Sequence, residues 1–252
     1  NKALIKEYNA IEKAAKADGT WMKNLDGTRF SGAEEFFIQS RSKNFKNWYT
    51  KGLDSKEADK VYNEFLNSPE TLYHSTKNTV TQDEWLTNNN SPFSVFDSTK
   101  GVRQISGTNH PNLIFTSPNL DQSRSYGFSH TFPLIGRGNN TKVIDYNGRP
   151  WNGDKKINGV YKSTITGQTP PRNLSINNQA QRALSQDYSN IEARNILDYG
   201  PNIGPKAASI PGNTQVFFNS NDLKSVLRND GMFSELPNMY KAIVPGAIGV
   251  GA

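Results

Sequence analysis

The period of the hydrophobic pattern changes at Pro69, and that change sets the fold class. Before it, apolar residues recur at helical spacing. Leu4, Ile5, Tyr8, Ile11 and Ala15 share one face, and Gly19 closes that helix. After it, short strand-like runs take over: Thr71–His74, Leu113–Thr116, Thr131–Ile135, Lys142–Tyr146 and Gln215–Phe218. Loops rich in Asn, Ser and Gly separate them. The pattern predicts an α+β chain with a helical N-terminal region (1–69), an α+β body (70–235) and a Gly/Ala-rich tail (236–252).

Local signals place further elements. Ser31 to Glu34 has capping-box form and opens a segment carrying Phe36, Phe37, Phe45, Trp48 and Tyr49. Asp54 with Glu57 starts a helix carrying Val61 and Phe65. Ser117 followed by Pro118 predicts a helix to about Tyr126. A longer helix is expected over Asn177–Leu197, with an irregular excursion between Gly136 and Asn178. The strand ending at Phe218 is expected to turn into a short helix at Asn219.

Composition removes several classes of function. Cysteine is absent, which excludes thiol catalysis, disulfides and cysteine-ligated metal sites. No apolar run reaches the ~18 residues of a membrane helix, and no signal segment stands out. The first residue is Asn, so the sequence reads as a fragment, a processed product or an ordered part of something longer. At 252 residues the net charge is +6, but the basic residues are scattered apart from Arg41, Lys43, Lys46 and Lys51. They read as solvated faces, and nucleic acid is permitted but not favoured.

The familiar catalytic motifs are missing. There is no Gly-x-Ser-x-Gly elbow, no Walker loop and no Gly-x-Gly-x-x-Gly. The three histidines, His74, His110 and His130, show no i,i+4 pairing, so a His-Glu-x-x-His zinc site is excluded and no metal is expected. His74 stands out because it ends a strand and is followed by Ser75 and Thr76.

Leu72-Tyr-His-Ser-Thr76 resembles the Tyr-His-Gly-Thr strand of ADP-ribosyltransferases of the diphtheria-toxin and poly-ADP-ribose-polymerase type. Leu113-Ile-Phe-Thr-Ser117, continuing through Asp121 to Tyr126 and Gly127, is similar to that family's second block. Thr214–Phe218, with Asn219–Ser225, Asn229, Gly231 and Phe233, is similar to its third. Ala17–Thr28, Gln39–Trp48, Ser94–Asp97 and Val143–Gly148 also resemble segments of phage polyvalent and MuF-type toxin proteins.

The resemblance implies a split two-sheet core that binds NAD+ as co-substrate. By that likeness Tyr73, His74, Ser75 and Thr76 line the cofactor. The His74 side chain would bond the adenosine ribose, and the Ser75 backbone would hold the nicotinamide amide. Thr76 would support the strand and the ribose. Ser117 would order the ribose side, Tyr126 would stack on the nicotinamide, and Phe128 would add wall. The family's catalytic Glu aligns with Thr214, beside Gln215, and neither carries negative charge. Three explanations stand. Thr214 or Gln215 bonds the ribose in a mono-ADP-ribosyltransferase; the acid comes from elsewhere, with Glu192 or Asp198 on the preceding helix as candidates; or the fold has lost its chemistry. Of these acids, Glu192 reads more simply as a solvated helix residue. The implied setting is a phage or mobile-element effector acting in the bacterial host cytoplasm or carried in the virion. It would modify a host protein. The alternative is a silent domain that contacts other virion proteins.

Overall fold

Capping chemistry explains most of the helical region. A computed structural model describes residues 2–76, 113–127, 130–151, 155–157, 160–162, 175–200, 210–226 and 231–233. Ser94–Asp97, Phe128, Asn229 and the tail 236–252 lie outside the described residues. Residues 2–70, 224–226 and 231–233 belong to one compact unit, and those between Thr71 and Leu223 to another.

The first unit holds α1 (Lys2–Ala17), α2 (Glu34–Gln39), α3 (Lys43–Tyr49) and α4 (Ser55–Asn67). The Asp54 carboxylate accepts from the N–H groups of Lys56 and Glu57, at 3.0 and 2.9 Å, and so starts α4. Ser42 does the same for α3 through the N–H of Phe45. The capping box expected at Ser31 does not form. The residue before α2 is Ala33, with no side-chain cap. The chain enters α2 through Gly32, over which Phe30 packs on Phe36, and the first turn starts later. Two Asp-Gly-Thr turns precede it. In each, the Asp carboxylate accepts from both the N–H and the hydroxyl of the Thr. Gly19 and Gly27 supply the left-handed φ, 77° and 84°.

These elements close on an aromatic core. Phe45 lies 5.1 Å from Phe65 and 5.0 Å from Phe233, centroid to centroid. Each buried aromatic ring contributes about 1.5–3 kcal/mol of transfer free energy. Phe233, which the sequence groups with the third block, is therefore a core residue of the helical unit. The basic cluster is also partly structural. Arg41 sits 3.5 Å over the Phe37 ring and donates to the carbonyls of Phe37 and Lys23, and burial brings its pKa down to about 10. Lys46 pairs with Asp59 at 2.6 Å.

The second unit contains, in chain order, β1 (Leu72–Thr76), β2 (Ile114–Thr116), α5 (Leu120–Arg124), β3 (His130–Gly136), β4 (Thr141–Asp145), β5 (Lys155–Ile157), β6 (Val160–Lys162), α6 (Ile176–Leu184), β7 (Asn190–Ile196) and β8 (Gly212–Phe217). A short 3-10 turn (Ser220–Asp222) follows, then β9 (Leu223–Ser225), whose first residue ends the unit. One sheet runs in the order β1-β3-β9, the other β2-β8-β7-β4, and β5–β6 form a hairpin. In the larger sheet β4 and β7 are parallel, while β2, β8 and β7 pair antiparallel. The architecture is thus mixed helix and sheet with two sheets, as the pattern predicts.

Four local expectations are corrected. The long helix over 177–197 stops at Leu184. Asp187 takes a left-handed φ of 60°, and the chain re-enters as β7, with Ile191 and Ala193 buried on one face. Helix α5 starts after Asn119, whose side chain accepts from Asp121 and Gln122, because the Ser117 hydroxyl is engaged elsewhere. The segment after Asn219 makes one 3-10 turn and then a strand. The stretch 136–178 includes β4 and a hairpin as well as loop.

Helix α6 covers one face of the larger sheet. Ile176, Ala180 and Ala183 pack on Ile191, Ala193 and Val216, and the small alanines allow close approach. On the other face Leu72 and Phe217 meet over Gly136. A Cβ there would lie 3.0 Å from Leu72 Cδ1 and closer still to the Phe217 ring.

Candidate functional site

Among the described residues one backbone pair, Tyr73 with Ser117, links β1 to the end of β2. The N–H of Tyr73 donates to the Ser117 carbonyl at 2.7 Å, and the N–H of Ser117 donates back at 3.0 Å. Alternate residues of a strand aim their peptide groups to the same side. The N–H and C=O of Ser75 therefore point the same way as those of Tyr73. Leu72, His74 and Thr76 aim theirs at Leu134, Phe132 and His130 of β3. Pro133, which has no N–H, sits opposite Tyr73 at a pair that needs none from it.

His74 stands beside that edge. Its Nδ1–H donates to the Phe115 carbonyl at 2.8 Å, which places the proton on Nδ1 and leaves Nε2 as the basic nitrogen. Burial lowers its pKa, and the carbonyl bond only partly opposes this. The ring is therefore neutral at pH 7.

The wall facing His74 belongs to the larger sheet. Because Leu72 meets Phe217, the Leu72/His74 face of β1 looks toward the Phe217/Gln215 face of β8. Register sets Thr116, Gln215, Glu192 and Val143 in one row across that face. The end with Ile114 and Phe217 is apolar and holds the sheets together. The end with Thr116, Gln215 and Glu192 is polar. The Glu192 carboxylate is held by Arg194 through two bonds, at 2.7 and 2.9 Å.

Behind this wall lies a buried network. Thr214 is 2 % exposed and points to the α6 side of β8. Its hydroxyl donates to Asp198 at 2.8 Å, and its oxygen accepts from the Gln122 amide at 2.8 Å. Asp198 also accepts from the Tyr126 hydroxyl. The Ser117 hydroxyl lies 2.9 Å from both the Gln122 carbonyl oxygen and the Asn213 carbonyl. Burial pushes the Asp198 carboxyl up, against the opposing bonds from Tyr126 and Thr214.

The sequence-predicted residues thus fall into two groups. Tyr73, His74, Ser75 and the Ser117 backbone meet at the junction, with Gln215 on the facing wall, while the Ser117 hydroxyl joins the buried network. Tyr126 and Thr214 are joined through Asp198. Phe128 lies outside the described residues, and Thr76 ends β1. Glu192 and Asp198 are not on a helix. Glu192 is on β7, and Asp198 lies two residues beyond it. The alternation of Ile191 and Ala193 with Glu192 and Arg194 is the signal for a strand. The role of Gln122 leaves no mark in the sequence. Among the described residues no group of three or more His, Asp or Glu could hold a metal ion, and no helix is long and apolar enough to cross a membrane. No protein-family model, curated protein or solved structure matches the chain.

Proposed function

We propose that the second unit binds NAD+ and acts as a mono-ADP-ribosyltransferase on a bacterial host protein, in a phage or mobile-element setting. The observation that carries this reading is the peptide edge of Ser75, aimed the same way as that of Tyr73, beside a half-buried, neutral His74. A primary carboxamide has one donor edge and one acceptor edge, which match a strand's N–H and C=O. Nicotinamide is such a group. His74 Nε2 would accept from a ribose hydroxyl. Ser123 Oγ touches Ser75 Oγ at 2.9 Å, which packs α5 on the Ser75 side chain, and Tyr126 lies two residues beyond α5.

In the reaction a target side chain attacks C1′ of the nicotinamide ribose. The C1′–N bond breaks, and nicotinamide leaves with the bonding pair. Positive charge grows on the ribose in the transition state, and a fixed negative charge nearby stabilises it. Gln215 supplies hydrogen bonding without charge. Glu192, its cross-strand neighbour, is one acid on that face, and Asp145, paired with Arg194, is another. A neutral residue at Gln215 favours single transfer over chain elongation. A second reading, a silent transferase-like domain with a role in the virion, draws on one observation: Thr214 is committed to Asp198 and Glu192 to Arg194.

The test uses the full chain with labelled NAD+ and host lysate, measuring binding by calorimetry, nicotinamide release and label on protein or nucleic acid. Transfer to protein is expected. His74→Ala should weaken NAD+ binding. Ser75→Pro, which removes the edge N–H, should weaken it more than Ser75→Ala. Binding without release supports the silent domain, and absence of both defeats the NAD+ reading.

A further inference from the structure

Asp198 is the point where the buried polar bonds of the second unit converge. Its carboxylate has no hydrogen to give, so it can end two donor bonds at once. One comes from Tyr126, just beyond α5, and the other from Thr214 on β8. Thr214 in turn takes the Gln122 amide N–H, and the Gln122 carbonyl oxygen takes the Ser117 hydroxyl. The donors run in one direction, from the end of β2 through α5 and β8 to the carboxylate.

A second tie lies two residues on. The N–H of Gly200 donates to Ser125 Oγ at 2.7 Å, and Ser125 Oγ–H donates to the main-chain carbonyl of Gln122 at 2.6 Å. The segment after β7 is thus fastened twice to the segment that carries Tyr126. At 7 % exposure a carboxylate is a costly way to fill such a place, and an apolar side chain of similar volume would often serve stability as well. What the carboxylate adds is direction. It fixes where the Tyr126 hydroxyl stands relative to β8.

We infer that Asp198 is a positioning residue: it holds Tyr126 in place at the end of α5, which packs on the Ser75 side chain, and ties it to β8. The inference rests on the NAD+ reading given above. Asp198 acts through Tyr126 and does not touch the reacting atoms.

A double-mutant cycle tests it in the full chain, with Asp198→Ala, Tyr126→Phe and the two combined. The readouts are NAD+ affinity, the rate of nicotinamide release and the melting temperature. Misplacing a positioned group by about 1 Å can cost about 100-fold, so each single variant should lose roughly 10- to 100-fold in release rate. The double variant should be no slower than the slower single, because both remove one tether. Losses that multiply would overturn the inference, as would wild-type turnover by Asp198→Ala. Should Asp198→Ala fail to fold, Asp198→Asn carries the same cycle, since the amide keeps the shape but can end only one of the two donor bonds. A readout independent of NAD+ is the protected Tyr126 hydroxyl proton by NMR. It should be present in the wild type and absent in Tyr126→Phe and Asp198→Ala. Its persistence in Asp198→Ala refutes the tether. Absent NAD+ binding with a normal tether refutes the NAD+ reading on which the positioning role rests.

Discussion

Gly200→Ala is the sharpest probe of how the second unit is assembled. The residue does not need a left-handed backbone, so alanine meets no dihedral strain there. What it meets is backbone. An added Cβ would lie 2.8 Å from Tyr126 Cα and closer still to the Ser125 carbonyl. Backbone at the end of a helical turn cannot swing aside as a side-chain tip can, so the 198–200 segment must move away. Overpacking of this kind costs about 1–3 kcal/mol. The movement also breaks the buried Gly200 N–H bond to Ser125, worth about 1–3 kcal/mol more. The sum is roughly 4 kcal/mol, which at about 3 °C per kcal/mol lowers the melting temperature by roughly 12 °C. Thermal unfolding followed by near-ultraviolet circular dichroism reads it. Gly148→Ala is the control. Its φ is +76° but its nearest neighbour is Pro211 Cγ at 3.8 Å, so it carries only the left-handed penalty of about 1–2 kcal/mol. If Gly200→Ala melts no lower than Gly148→Ala, the close-packed junction is wrong.

Other perturbations follow from charges. Burial depresses the His74 pKa, so its contribution to stability is present above about pH 6.5 and is lost as pH falls through the lower folded value. Unfolding measured from pH 7 to 5 should show an acid limb that His74→Gln flattens. Asp198 has the opposite sign. Its raised folded pKa makes its contribution full below about pH 3.9 and lost as pH rises through the folded value. Subtracting the profile of Asp198→Asn from that of the wild type should isolate this fall; an unchanged difference across that range removes the assignment. Arg137 and Asp222 pair at 2.7 Å with side chains 10 % and 12 % exposed. Asp222→Ala should cost about 3 kcal/mol in denaturant unfolding, because a largely buried guanidinium loses its carboxylate partner.

The readable features were those set by short-range chemistry. Asp54 caps α4 because its carboxylate reaches two N–H groups within three residues. The runs at Leu113–Thr116 and Thr131–Ile135 fall in β2 and β3 because apolar, β-branched residues suit a buried pleat. The helical expectation over 190–196 fails because Asp187 turns the chain with a left-handed φ and those residues pair as β7. Ser31 misled for a similar reason: the capping pattern was present, but packing of Phe30 on Phe36 moved the helix start. For the site, His74, Ser75, Ser117, Tyr126 and Thr214 could be selected in advance, but not their grouping. That depends on contacts such as Gln122 with Thr214, across 92 positions of chain.

The change of period at Pro69 was enough to determine an α+β chain with helices first and strands after. The absence of cysteine was enough to close off thiol chemistry. Periodicity and composition are properties of neighbouring residues, and no partner is needed to read them. Which face each polar residue serves was decided only by pairing. Thr214 and Gln215 are adjacent in sequence, and the pleat of β8 sends one into a buried network ending at Asp198 and the other to the wall opposite His74. Asp198 gained its place from the register of β7 with β8 and from the turn of α5 that brings Tyr126 to it, and neither is written in the residues around it.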